Sequence, residues 1–550
     1  MSKIGKQSLH AGWKDGLTRE EEKRLLLGSV LFVFLWGLAA HAYGFLHGDF
    51  SHDMLNALVA DNVETYWKMQ LGRLWVVLYR RTIRGVIAAP WLCGVLGLIW
   101  ISLSCFLTAK LFRIRSRFLL CLLAGVLTVN LTTIAMTATY LYELDFDMFA
   151  LLLGVAAVFL WDRYGWTGSL VGALFVTGVL GLYQSYVCVV ITLVMLLSIT
   201  ALLRGETFGA VFKKGLRGVC MLLIGALLYY GALQWMCAVK GITLNTNSYN
   251  SVYTVLEGDA KSPGFLATIG AVYRNWADAF FNRGAAHIEM PVWWCSIALA
   301  VCFVAGIILW LVRGKSGAAE KILLVVLAVL LPFGMNATRV LSGRDVHDLM
   351  KYAFWLTYPA CLLPWFVRKE DPSTADGKDR LRFVWQLSAL LVLIVLISNV
   401  QTANIVYTKK GLEQDATLAC MTRVVDSLEK REDYVPGETP LVIVGLGEPM
   451  TKPIPGFEAY YDITGCDAAS PIASDTVTYY YNSYAAYFRY IMNEPVQMAD
   501  AATWNEVLKD ARVLAMPCWP AEGSMQLADD VFVVKLGEPS VAPAAEGSVS

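Results

Sequence analysis

Apolar runs of about 15 to 25 residues, each long enough to cross a hydrocarbon core, recur from Leu25 to about Thr402. No other feature constrains the fold as tightly. They fall near 25–46, 86–109, 118–140, 148–161, 168–182, 186–203, 218–238, 291–312, 322–335, 352–367 and 383–402. The fourth and ninth are short and need neighbouring helices or a thinned bilayer to span. With 57% hydrophobic residues and mean hydropathy +0.52, the chain is too apolar for a soluble globular protein. The expected class is mainly α: a polytopic bundle of about eleven transmembrane helices carrying a small α/β domain at the C-terminal end. Its 45 basic and 45 acidic residues balance, so no global charge points to nucleic acid.

The fifth and sixth spans come from one run, 168–203, too long for a single helix. It divides at Leu182-Tyr183-Gln184-Ser185-Tyr186, where polar atoms interrupt the run. Orientation follows the basic residues of short loops. Lys3, Lys6, Lys14, Arg19, Lys23 and Arg24 share one side with Lys110/Arg113/Arg115/Arg117, Arg204/Lys213/Lys214/Arg217, Arg313/Lys315/Lys321 and Arg368/Lys369/Lys378/Arg380/Arg382. That side is read as the cytoplasm. Segment 1–24 is then cytoplasmic, 25–402 forms the bundle, and 403–550 is an extracytoplasmic domain. Outer loops are expected at 47–85, 141–147, 239–290 and 336–351. One cluster violates the rule: Arg73, Arg80, Arg81 and Arg84 fall outside. The charged lead is long and no small-residue cleavage site follows it, so the first span is read as an anchor.

Nine of the twelve Cys lie in or beside spans, where they act as small apolar residues. Cys420, Cys466 and Cys518 lie in the terminal region, where one disulfide can form but three residues cannot all pair. That region reads as a helix near 411–430, a strand at 440–445, helices near 479–492 and 503–509, and strands at 512–515 and 531–536. Gly445-Leu446-Gly447 is a turn after a strand, since a phosphate loop needs a third glycine and a following helix. Residues 542–550 form a low-complexity tail. The loop 239–290 carries Tyr249, Tyr253, Tyr273, Trp276 and a break at Pro263-Gly264.

Chemistry concentrates in the first outer loop, His47-Gly48-Asp49-Phe50-Ser51-His52-Asp53 with Gly72-Arg73. Carboxylates beside lipid are costly and call for a reason. Asp49 and Asp53, four apart, would share one side of a helix beginning near Ser51. A carboxylate there can serve as general base for a sugar hydroxyl, or Ser51 or Asp53 can simply cap a surface helix. Arg73, Arg80 and Arg84 fall within roughly 40° of one another on a helix at about 100° per residue. With Trp75, Val76, Leu78 and Tyr79 resting on lipid, they can hold a lipid-linked phosphate, or anionic head groups generally.

A second acidic run, Tyr142-Glu143-Leu144-Asp145-Phe146-Asp147, precedes the fourth span. Asp147 can cap the following helix; Glu143 and Asp145 can bind sugar hydroxyls or a cation. Gln184 can hydrogen-bond a sugar or a neighbouring helix. In 339–351, Arg339 or Lys351 can contact phosphate, and His347 is a loop residue rather than a catalyst. No Walker A loop, zinc-ligand spacing or Gly-x-Ser-x-Gly elbow is present.

Phe50-Ser51-His52-Asp53, Gly72-Arg73, Phe146-Asp147, Leu182-Tyr183-Gln184-Ser185, Ala515-Met516-Pro517-Cys518-Trp519-Pro520 and Val533-Val534-Lys535-Leu536 stand in the order of a known family. The chain resembles the GtrII-like glucosyltransferases of bacterial membranes, within the polyprenyl-phosphate-dependent GT-C superfamily. It departs from them at His52-Asp53, where the family often has paired aspartates, so Asp49 is an alternative second acid. The resemblance implies a GT-C fold and a polyprenyl-phosphate-linked hexose donor. It implies transfer, with inversion, to a cell-surface glycan such as O-antigen outside the bacterial cytoplasmic (inner) membrane. It further implies membrane lipid, a flippase and a donor-synthesising enzyme as partners.

The resulting reading makes Asp53, or Asp49, the catalytic carboxylate. Glu143, Asp147 and Gln184 contact substrate, and Arg73, Arg80, Arg84, Arg339 and Lys351 hold phosphate. No metal ligands are assigned, and a role for Mg²⁺ is left open. The rival readings are a lipid-linked glycan flippase, whose polar groups would sit at midplane, and a non-catalytic envelope-assembly protein.

Overall fold

A computed structural model describes residues 17–59, 62–244, 265–282, 290–314, 316–342, 346–370, 381–452, 454–458, 472 and 483–539. Tyr249, Tyr253, Pro263-Gly264, Cys466, residues 479–482 of an expected helix and the tail 542–550 lie outside the described residues.

The described chain is mainly helical. Its first half runs α1 (Arg19–Leu46), α2 (His52–Asn56), α3 (Asn62–Gln70), α4 (Val76–Tyr79), α5 (Pro90–Phe112), α6 (Arg117–Thr128), α7 (Leu131–Thr139), α8 (Leu141–Arg163) and α9 (Gly165–Leu182). Then come α10 (Val187–Leu203), α11 (Phe208–Lys240), α12 (Phe265–Phe281), α13 (Met290–Arg313), α14 (Ala318–Met335), α15 (Ala337–Ser342), α16 (Thr357–Glu370) and α17 (Arg382–Glu429). Among the described residues nine helices are long and apolar enough to cross a membrane, and α6 with α7, bent by 44°, makes a tenth. These helices mark a membrane protein.

Three departures from the expected spans have local causes. The run 118–140 breaks because the Asn130 side chain caps α7, accepting from Thr133 N at 3.1 Å. The run 352–367 begins as a 3₁₀ turn, and the 14-residue α16 that follows carries Pro364 inside it. The run 148–161 is longer than expected, because α8 starts at Leu141 and takes the acidic run into its first two turns. The break at 182–186 stands where expected, as extended Tyr183 followed by a 3₁₀ turn.

The expected boundary at 402 falls inside α17, whose 48 residues run without interruption from an apolar stretch into the terminal domain. There β1 (Leu441–Val444), β2 (Met525–Ala528) and β3 (Val531–Lys535) form a sheet ordered β1-β3-β2. The β1–β3 pair is parallel and the β2–β3 pair antiparallel. β1, predicted from a fully apolar run, is buried along its whole length. The predicted strand at 512–515 is instead a helical turn, Ala511–Leu514, started by Asp510, whose carboxylate accepts from Arg512 N at 2.8 Å. Cys420 is buried and free, and Cys518 is also a free thiol.

Candidate active site

The first loop meets the α7–α8 junction and the α9–α10 break. The α7–α8 junction, 139–147, anchors α2 with Arg73 and Arg84 of the first loop. Ser51 caps α2, accepting from Met54 N at 3.2 Å, and its hydroxyl donates to the Thr139 carbonyl at 2.5 Å. At the far end of α2, Ala88 N donates to Leu58 O at 2.9 Å, four residues beyond Arg84. Met54 of α2 joins the core of the bundle, whereas Leu55 joins the core of the terminal domain. α2 therefore lies in the seam between the two, with Asp53 in its first turn. The Asp53 side chain is 29% exposed, and its Oδ1 stands 3.4 Å from His52 Nε2.

Asp49 does not share a helical face with Asp53, because Ser51 starts the helix and leaves Asp49 in extended chain before it. Its Oδ2 is buried without a hydrogen-bond partner. Burial raises the Asp49 carboxyl above its ordinary pKa, while nearby Lys410 and His47 pull it down.

The arginines do not line one helix on lipid. Gly72 adopts φ +78°, open to glycine without strain, and turns the chain between α3 and α4. After α4 a single π-turn, Arg80–Arg84, tightens the chain again. Arg73, Arg80 and Arg84 are buried and point inward, whereas Arg81 and Leu78 are exposed.

The buried guanidiniums find the acids of α8. Arg73 Nη1 donates to Glu143 Oε1 at 2.8 Å, and Lys68 Nζ pairs with the same oxygen. Arg84 Nη1 donates to Asp145 Oδ1 at 2.9 Å and to the Tyr142 carbonyl at 2.5 Å. Arg73 stacks over the Tyr183 ring at 4.3 Å, and Arg80 lies over Phe146 at 5.8 Å. Burial works against charge on Arg73 and Arg84, but Glu143 and Asp145 outweigh it, so both pKa values rise.

Several polar atoms in this cluster stay open. Both carboxylate oxygens of Asp147 are buried without a hydrogen-bond partner, as are Arg73 Nε and Arg84 Nε and Nη2. Such atoms are costly unless something satisfies them. Asp147 does not cap the helix, since α8 begins six residues earlier.

The remaining predicted residues lie on other elements. Gln184 Nε2 donates to Leu71 O at 3.0 Å and to Tyr229 Oη at 3.2 Å, tying the α9–α10 break to the first loop. Arg339 is buried on α15, next to Thr338, which meets Cys188 Sγ at 3.1 Å. Lys351 pairs with Asp348 at 2.6 Å, and the Asp348 carbonyl accepts from Thr132 Oγ1. His347 packs edge-on against Tyr140 at 5.7 Å. Residues 343–345 of that loop lie outside the described set.

Sequence reasoning missed Lys68, Lys409 and Lys410, all buried. Lys409 and Lys410 follow the last apolar run closely on the side read as outer, so they break the charge rule as Arg73 does. That anomaly was the available signal. Among the described residues no three His, Cys, Asp or Glu are grouped to hold a metal, because the acids of α8 face arginine and lysine.

A family model described as glucosyl transferase GtrII matches residues 42–368. The chain belongs to the GtrII glucosyltransferase family. Membership implies a glucosyltransferase, with a sugar donor and a glycan acceptor. No curated protein and no solved structure matches the chain. The GtrII match begins within α1 and ends within α16. It therefore contains Asp53, the arginines and the acids of α8, and leaves α17 and the sheet beyond it.

Proposed function

We propose that this GtrII family member moves glucose from a polyprenyl-phosphate donor to a cell-surface glycan, at the outer face of the bacterial cytoplasmic membrane. The observation that carries this reading is the seating of partly exposed Asp53 on a helix whose cap bonds to Thr139 and whose far end bonds to Ala88, four residues after Arg84. A partly exposed carboxylate is thereby tied, through α2, to the segments that carry a buried cluster of cations.

In the proposed reaction Asp53 accepts the proton of the acceptor hydroxyl. That oxygen bonds to the anomeric carbon, and the bond from the anomeric carbon to the phosphate oxygen breaks with its electron pair going to the lipid phosphate. Displacement in line inverts the centre. The open N–H groups of Arg73 and Arg84 are suited to the phosphate oxygens, and they act without reorganisation because Glu143 and Asp145 already fix them. The two open oxygens of Asp147 suit sugar hydroxyls, which donate. Glu143 serves here as the anchor of Lys68 and Arg73 rather than as a sugar ligand. Gln184, with its amide nitrogen committed to Leu71 and Tyr229, braces the first loop rather than contacting sugar. Arg339 and Lys351 remain candidate outer contacts for the phosphate. Clustering of the charged groups at the α7–α8 junction fits surface chemistry better than a midplane transport path.

The test supplies membranes, from a strain lacking both the chromosomal gene and the enzyme that makes the lipid donor and expressing the full chain, with labelled undecaprenyl-phosphate glucose or labelled UDP-glucose. The proposal expects label in the endogenous glycan from the lipid donor alone. Transfer from UDP-glucose with none from the lipid donor overturns it.

A further inference from the structure

α17 begins after the GtrII match ends, yet it reaches into the loop that carries the proposed base. Three of its residues, within little more than one turn, contact that loop or the end of α7 to which it is fastened. Lys410, buried, donates to the Ala138 carbonyl, one residue from the Thr139 carbonyl that receives Ser51. Its charge also draws on Asp49. Gln414 Nε2 donates to the Phe50 carbonyl at 2.5 Å. Between them Gly411 allows close approach: a Cβ there would collide with the Tyr43 hydroxyl and come 3.4 Å from Asp49 Oδ2. Positions 410, 411 and 414 share one helical face. Phe50 itself packs against both the bundle core and the domain core.

The loop from Gly48 to Ser51 is thus fastened by α17 on one side and by α7 on the other, immediately before Asp53. We propose that Lys410, Gly411 and Gln414 are positioning residues for the transfer, so that α17 is part of the catalytic centre rather than a tether for the terminal domain. The inference rests on the function proposed above. None of the three touches the reacting atoms; each acts through the loop. A displacement of about 1 Å at a catalytic group costs up to roughly a hundredfold in rate, which sets the size of effect to look for.

The experiment uses the same membrane assay with labelled undecaprenyl-phosphate glucose, at matched amounts of folded full-length protein. The variants are Lys410→Met, Lys410→Arg, Gln414→Leu, Gly411→Ala and Gly411→Ala with Tyr43→Phe. Expected are losses in kcat of about 10- to 100-fold for Lys410→Met and Gln414→Leu with the donor KM little changed. Lys410→Arg should recover much of the rate, and Tyr43→Phe should restore activity to Gly411→Ala by removing the colliding oxygen. If Lys410→Met fails to accumulate, Gln414→Leu and the Gly411 pair decide the matter alone. Unchanged kcat per folded molecule, whatever the melting temperature, overturns the inference, and so does a loss confined to donor KM. Wild type inactive with the lipid donor, or Asp53→Asn fully active, instead refutes the underlying function.

Discussion

At the residue scale, Glu143 does most to hold the site together. One carboxylate oxygen takes both Lys68 and Arg73, with all three side chains almost fully buried. Removing one partner from such a group strands the others in low dielectric, and losses of about 3–5 kcal/mol are typical. Glu143→Gln should therefore lower the melting temperature of the purified protein clearly. Adding Lys68→Met should recover part of that loss, because the stranded charge goes with it. Strict additivity of the two changes would mean that the pair does not interact. The same logic separates Asp147 from its neighbours: with no cation bonded to either oxygen, Asp147→Asn should cost activity far more than stability. A melting temperature falling as far as that of Glu143→Gln would make Asp147 a structural acid.

At the scale of elements, α2 decides the geometry. Five residues long, it is too short to persist alone and depends on what it touches. Met54 and Leu55, adjacent in sequence, enter two different cores. Leu55→Ala should cost about 2–5 kcal/mol and should do so in the unfolding of the terminal domain, measured by protease sensitivity of that domain. If cleavage within the domain is unaffected, the seam is looser than described. Asp53 as the matched carboxylate came from the family resemblance, whereas sequence alone offered Ser51 as a cap, because capping rests on a local pattern. It misjudged Asp49 and the arginines, because a common helix was assumed across Gly72 and across Ser51. A positive φ and a cap each end a helix within one residue, and neither leaves a period to read. The acids of α8 read as a loop for the opposite reason: three carboxylates look like solvent-facing chain until the arginines that neutralise Glu143 and Asp145 are brought in from 70 and 61 residues away.

At the scale of the whole molecule, the bundle was legible because hydrophobic runs register burial in lipid directly, and most of the predicted spans coincide with observed helices. The continuity of α17 was not, since the apolar signal ends near Thr402 while the helix continues to Glu429. Beyond that point stability comes from packing against the sheet and α2, which is long-range and leaves no periodic trace. The consequence is functional. A region outside the family match contacts the loop that carries the proposed base, so the glucosyltransferase has to be considered as bundle and domain together.

The most direct test of the whole account is mass spectrometry of surface glycans from cells lacking the gene, complemented with wild type or with Asp53→Asn at equal membrane abundance. The account predicts that one hexose, glucose, disappears on deletion, returns with wild type and stays absent with Asp53→Asn. Full restoration of the hexose by Asp53→Asn would contradict it.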